Sequence, residues 1–265
     1  MIRLSGRVRA FGIWMGVAIL FAPLSLLAQQ ADVDKQKDAY VALLEKIEDK
    51  RSSLYTRFKK AKGFDAKNKV RQEAQSFVVR AIVEDIIPKW LGMPWTLAVI
   101  KDGLKPNAAY PFEKGRGISC SWFMVSVLRS VGLRFVNKRD FADTISIHFQ
   151  YAMSPRKKDI HRYFNTSPDH LEEKLKKLDN GLYVIGLNCH IGFLHITDGR
   201  VNFLHSSYTS PQQVVIEPLA KSEAIVLSES AGYVVSPLFQ DTRLVDYWLS
   251  RTKLPFQKWS GSRTQ

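Results

Sequence analysis

Cysteine is scarce in this chain. Among 265 residues there are two, Cys120 and Cys189. Two thiols exclude a multi-disulfide framework and any zinc site built from paired Cys-x-x-Cys motifs. There is no phosphate loop, no dinucleotide fingerprint and no HExxH, so the usual nucleotide-binding and zinc-peptidase signatures are missing. No internal repeat and no biased segment after residue 31 occurs, which removes solenoids and long disordered arms. Acids are also in the minority, with 25 Asp and Glu against 39 Lys and Arg. Finally, no charge falls between Arg9 and Asp32.

That uncharged window is informative. "MIRLSGRVR" is a basic start, "AFGIWMGVAILFAPLSLLA" is an apolar core, and a small-residue exit precedes Gln29. Residues 1–28 are therefore expected to be a secretory signal peptide. The competing expectation is an uncleaved N-terminal anchor, since the window is long enough to span a bilayer. Both place the rest of the chain outside the cytoplasm, periplasmic or secreted. The formal charge is +14, of which Arg3, Arg7 and Arg9 supply three, leaving +11. A basic exported protein is expected to meet anionic envelope polymers or membrane surfaces, and not nucleic acid.

The remaining chain is long enough for one sizeable core. Residues 29–88 read as a helical region. Tyr40, Leu43, Leu44, Ile47, Leu54 and Phe58 form one stripe. A second helix capped by Asp65 carries Val70, Ala74, Phe77, Val78, Ala81 and Ile82. The two suggest a helical hairpin whose Lys and Arg line a solvated face. Pro88 and "WLGMPW" (90–95) are expected to end it. Residues 89–252 read as a second domain and 253–265 as a loose basic tail.

Within 89–252 the pattern is mixed. A helix follows Ser119, with Phe123, Val127, Leu128 and Val131 on its apolar side and Gly132 at its end. Residues 144–149 are expected as a strand carrying His148, and 150–166 as a basic loop. "SPDHLEEKLKKLDNG" reads as a helix capped by Ser167, opened by Pro168 and closed by Gly181. Strands are expected at 182–188, 190–197, 201–206, 214–217 and 232–236, with a last helix through Leu244, Tyr247, Trp248 and Leu249. This is an α+β composition with a helix packed on an antiparallel sheet.

The chemistry concentrates at the scarce thiol. Ser119 as N-cap puts Cys120 in the first helical turn, where backbone N–H groups and the helix dipole favour a thiolate. A nucleophilic thiol needs a base. His161 and His170 sit in polar contexts, which leaves "HIGFLHITDGRVNFLHSSY". If Asp198-Gly199 is a two-residue turn, Thr197 pairs with Arg200 and Leu194 with Phe203. Alternation then puts His190, Gly192 and His205 on one face and His195 on the other. His190 and His205 become diagonal neighbours, with Gly192 leaving room opposite His205. Cys120 as nucleophile, His190 as base and His205 as its orienter make a catalytic triad. It requires no metal and no organic cofactor.

These residues resemble the NlpC-type cell-wall cysteine peptidases, a papain-like family. "WLGMPW" resembles the entry motif before the cysteine. "ISCSWFMVSVLRSVGL" resembles the nucleophile helix, and "HIGFLHITDGRVNFLHSS" the hairpin with base and orienter. The resemblance covers about residues 90–210. It implies a papain-like α+β fold and an exported cysteine peptidase or amidase acting on peptidoglycan through a thioester. The chain departs from the pattern at Ser119, where the family has an acid, at Trp122, where it has glycine, and at Trp95, where it has tyrosine. Trp95, Ser119 and Ser121 are the candidate substrate contacts, although packing and helix capping would also account for them. Cys189 reads as a small buried residue facing away from the site, with a Cys120–Cys189 disulfide as the alternative. A non-catalytic envelope-binding protein and a thiol acyl or amide transferase are the two other functions compatible with these residues.

Overall fold

The computed structural model describes residues 21–97, 104–154 and 156–260. Most of the expected signal peptide therefore lies outside the described residues, and 21–28 open the first helix. Among the described residues no helix is long and apolar enough to cross a membrane. Two compact units meet within that helix, one up to Tyr40 and one from Val41 onward.

Helix α1 runs Phe21–Lys60 and α2 runs Phe64–Arg80. Gly63, not Asp65, occupies the N-cap, and Asp65 sits in the first turn. Gly63 has φ 81°, a conformation glycine accepts without a Cβ clash, so the sharp turn selects it as the boundary. Val70, Ala74, Val78, Ala81 and Ile82 are buried as the 3.6 period requires. The helical region ends at Trp90, at the start of "WLGMPW", and Pro88 lies just inside its last turn. A π-helical stretch, Ala81–Ile86, leads into α3, Ile87–Trp90. Ile87 N–H reaches back five residues to Ile82 O, and this wider turn delivers the chain to α3 with Pro88 in the first turn. A proline is tolerated there because its missing N–H is not needed.

Several lysines and arginines of this region have partners in place of a purely solvated face. Arg71 makes a two-pronged ion pair with Asp246, both contacts at 2.8 Å, and Glu73 receives Lys50 and Arg57. Arg51 is buried and bonds Glu48 and Leu249 O.

After α4 (Cys120–Ser130) and α5 (Lys138–Ala142), the chain departs from the expected pattern again. Residues 144–149 are not a strand. They belong to α6, Ser146–Met153. The alternation in "SIHFQYAM" is compatible with both periods, and packing decides: Phe149, Ala152 and Met153 are buried, and Gln150 Nε2 donates to Val184 O and Val234 O. His148 thus lies on a helix, and its Nδ1 accepts the Trp259 N–H at 3.0 Å. The expected loop at 150–166 contains the end of α6 and a short strand, β1, His161–Tyr163. Helix α7 is Pro168–Leu175 with Ser167 accepting the His170 N–H. It ends before Gly181, which opens the next strand.

Strands β2 (Gly181–Leu187), β3 (His190–Thr197), β4 (Arg200–Ser206), β5 (Val214–Pro218) and β6 (Tyr233–Leu238) complete a six-stranded antiparallel sheet in the order β1-β6-β2-β3-β4-β5. One face carries Tyr183, Ile185, Leu194, Ile196, Phe203 and Val235. It packs on Leu171 and Leu175 of α7, on Leu219, and on Ala224 and Ile225 of α8, Glu223–Val226. The opposite face receives α4, whose Phe123 meets Phe193 edge-on at 6.1 Å. Each such side chain contributes about 1.5–3 kcal/mol by leaving water. The α+β class read from the sequence therefore holds.

Helix α9, Thr242–Ser250, is capped by Asp241 and buries Leu244, Val245, Trp248 and Leu249. The tail that follows is not loose up to residue 260. Leu254 is buried and bonds the backbone of Arg134 and Val136. Phe256 packs on Phe141, and Trp259 on Tyr151. Three apolar anchors interleaved with the basic residues outweigh the charge that suggested disorder.

Candidate active site

The Asp198-Gly199 turn fixes the geometry. Both residues have positive φ, 49° and 73°, and Thr197 pairs with Arg200. Leu194 pairs with Phe203, as the two-residue turn requires. His190 and His205 consequently share a face and touch. His190 Nε2 and His205 Nδ1 are 2.8 Å apart. Both rings are buried, at 3% and 0% exposure. Phe203 stacks on His205 at 3.9 Å between centroids and meets His190 edge-on. Gly192 leaves the space this needs. A Cβ there would lie 2.5 Å from Phe203 Cε2 and 2.9 Å from His205 Cβ.

Cys120 opens α4, and Ser119 has the extended backbone of an N-cap residue. Its side chain makes no capping bond. The Cys120 sulfur lies beside the backbone N–H groups of Ile191, Ser121 and Cys120 itself. Ile191 is the residue after His190, so the thiol arrives where β3 begins. Among the described residues no direct hydrogen bond joins the thiol to the His190 ring. The ring is held by His205 on one side, while Tyr208 meets it edge-on at 5.0 Å.

The electrostatics correct one expectation. The backbone N–H groups lower the thiol pKa, but burial pushes it up and wins, so Cys120 titrates above an ordinary thiol. Burial, reinforced by His205, holds His190 well below the ordinary histidine value. Burial also lowers His205, against the opposing pull of Glu217. Burial thus disfavours the charged form of both the thiol and the imidazole, against the thiolate that the helix terminus alone suggests.

Cys189 is also corrected. It is exposed, with φ 57°, at the two-residue Asn188-Cys189 turn between β2 and β3. Leu187 pairs with His190, so Cys189 lies in the turn and strand alternation does not apply to it. It is close enough to act electrostatically on Cys120 and Tyr208, and both cysteines are free.

Trp95 is half-buried and held against the site's frame. Its N–H donates to Gln212 O at 2.8 Å, and it forms a parallel bridge with Ile118. Its ring lies 6.5 Å from Tyr208. Ser206 Oγ donates to Ile118 O at 2.6 Å, tying β4 to the residues leading into Cys120. Ser119 and Ser121 are part-exposed at the start of α4. His195 lies on the other side of β3, in a groove with Ser76, Val79 and Val83 of the N-terminal helices. His161 and His170 lie on β1 and α7, outside this cluster.

Two neighbours were not read from the sequence. Tyr208 bridges Trp95 and His190. Glu217 Oε1 lies 3.0 Å from His205 Nε2. Burial raises the Glu217 carboxyl, but His205 and the Ser222 hydroxyl more than offset it, leaving the pKa below its usual value. A sequence signal exists for Glu217, a single acid in the short apolar strand "VVIEP". His205 pairs with Val215, which makes Glu217 its diagonal neighbour on the same face. The β4–β5 connection is too long to reveal that register in advance.

The arrangement can hold a nucleophilic sulfur, a base with one ring nitrogen still unengaged, and an orienting ring behind it. Among the described residues no group of three or more His, Cys, Asp or Glu side chains is placed to hold a metal ion. No protein-family model, no curated protein and no solved structure matches the chain.

Proposed function

We propose that this protein is an exported cysteine hydrolase of papain-like, NlpC-related design that cleaves an amide bond in peptidoglycan stem peptides. The observation that carries the reading is the buried His190–His205 contact at 2.8 Å, in the strand whose Ile191 backbone meets the thiol that opens α4. A structural histidine pair would gain nothing from a cysteine at that helix terminus. The order of motifs along the chain and the uncharged leader support the same reading, as does the net positive charge toward an anionic cell-wall polymer.

The chemistry runs from neutral partners. Cys120 sulfur attacks the amide carbonyl carbon while its proton passes to His190. Backbone N–H groups at the start of α4 hold the oxyanion. The C–N bond then breaks, the proton on His190 goes to the leaving amine, and a thioester remains. Water gives a proton to His190 and attacks the thioester. The C–S bond breaks, the sulfur regains its proton, and the carboxylic acid leaves. Trp95 and Tyr208 flank the site as an aromatic wall for the substrate chain.

Incubating purified sacculi with the mature protein tests this. The expected products are new free amines and carboxylates in the stem peptides by mass spectrometry, absent with Cys120→Ala. Intact stem peptides, or cleavage that persists in Cys120→Ala, would contradict it. Adding an amine acceptor separates hydrolysis from amide transfer, because a transferase would append the acceptor.

A further inference from the structure

The third member of the proposed triad does not stand alone. His205 uses Nδ1 toward His190 and Nε2 toward Glu217, at 2.8 and 3.0 Å. A neutral imidazole carries one proton, so each ring nitrogen must be either donor or acceptor. An ionised carboxylate can only accept. Facing Glu217, His205 must therefore place its proton on Nε2, which leaves Nδ1 bare. His205 Nδ1 can then only accept, so His190 must place its own proton on Nε2. That leaves Nδ1 of His190 without a proton.

We propose that Glu217 is a positioning residue that sets the tautomers of both histidines and so presents His190 Nδ1 as the unprotonated base. The role is additional to the Cys120, His190 and His205 assignments and rests on them for its catalytic meaning. In the reverse arrangement, His205 would donate from Nδ1, and His190 would carry its proton on Nδ1. It could not then accept one from the thiol at that atom. Glu217 takes no proton in the reaction. The proton leaving sulfur binds His190 Nδ1, and the resulting imidazolium is steadied through His205 by the carboxylate charge.

The surroundings make the carboxylate the deciding group. The other titratable groups near the pair are Cys120 at the start of α4, Cys189 in the β2–β3 turn and Tyr208 after β4, with Glu223 of α8 acting on Tyr208. None of them contacts His205 Nε2. Glu217 is reachable from solvent, with a quarter of its side chain exposed, so it can be ionised at neutral pH while the histidines stay dry.

Nitrogen-15 spectroscopy of labelled histidines in the whole protein tests the inference directly. The wild type is expected to show both rings protonated at Nε2. Glu217→Met keeps the chain length and removes the strong acceptor, and the Nε2–H pattern should break into mixed or reversed tautomers. Glu217→Gln serves as the second variant. It keeps hydrogen bonding but loses the charge, and should slow Cys120 alkylation at neutral pH about tenfold, the effect of one pKa unit on the base. Glu217→Asp should recover part of the loss, and a unchanged urea midpoint in Glu217→Gln would separate this from unfolding. Unaltered tautomers in Glu217→Met would overturn the inference, as would undiminished alkylation in Glu217→Gln where the parent's Cys120 is reactive. The tautomer readout needs no active nucleophile. An inert Cys120 with carboxylate-dependent tautomers would sink the hydrolase reading and leave the positioning role of Glu217 standing.

Discussion

His190 and His205 face each other across β3 and β4 with ring nitrogens 2.8 Å apart, both sealed from solvent. Two imidazoles this close cannot both be protonated without strong repulsion, and burial makes that cost larger. The pair is therefore neutral at rest, with a single proton between the two facing nitrogens.

This pairing makes the two histidines unequal in effect. His190→Ala removes the proposed base and should lower amide cleavage by about 10²–10⁴-fold. His205→Ala should cost less, and His205→Asn or His205→Gln should recover part of it, since an amide can still accept from His190 Nε2. Turnover of a stem-peptide substrate measures both. Equal loss in all three His205 variants would argue for a packing role alone.

Acid should destabilise the fold early. His190 and His205 both have folded pKa values below the ordinary 6.5, because burial penalises the charged rings. In the window below 6.5 the unfolded chain binds more protons than the folded one. Stability must then fall as pH drops. Glu217, lowered from 4.5, adds a loss in the same direction as the unfolded carboxyl begins to protonate. Urea midpoints at pH 7.5, 6 and 5 should decrease in that order, and a flat series would contradict the buried neutral pair.

Gly192→Ala should damage the site more than its position in a strand suggests. The added Cβ would sit 2.5 Å from Phe203 and 2.9 Å from His205. Overpacking of this kind costs about 1–3 kcal/mol and would push the His205 ring off its partner. Urea denaturation should show the loss, and Cys120 reactivity should fall with it. Wild-type reactivity would mean the neighbouring rings yield easily.

Cys189→Ser should leave turnover unchanged. The thiol is exposed at a turn, where it makes a weak 3.7 Å contact to Asn188. Serine keeps the shape of the side chain with a smaller, more polar atom, which an exposed turn accepts. A large loss of turnover would show that this second thiol participates in the chemistry.

The legible part of the site was the part written in short-range pattern. Asp198-Gly199 set the β3–β4 register, and the register put His190 beside His205 and His195 on the other face. Helix α4 is equally plain, because Phe123, Val127 and Leu128 repeat at helical spacing before Gly132. What escaped depended on long-range packing. Residues 146–153 fit a strand as well as a helix until Gln150 bonds β2 and β6. Cys189 was assigned by alternation, but the chain turns at that residue and alternation stops. Glu217 reaches His205 across a register set by a seven-residue connection, 207–213, which no local rule fixes. The basic tail hid three aromatic or aliphatic anchors whose partners lie more than a hundred residues earlier.

The central claim is that Cys120 and His190 act together from a neutral resting state. The most direct measurement is the pH profile of Cys120 alkylation in a Cys189→Ser background, with and without His190→Ala. The account predicts a rate that is nearly constant across neutral pH in the parent, carried by proton transfer to the neutral imidazole, and that falls on the acid side only below the ordinary histidine range. With His190→Ala the rate should instead climb about tenfold per pH unit toward the thiol's own ionisation. Superimposable profiles would show that Cys120 has no working base, and the enzyme reading would lose its foundation.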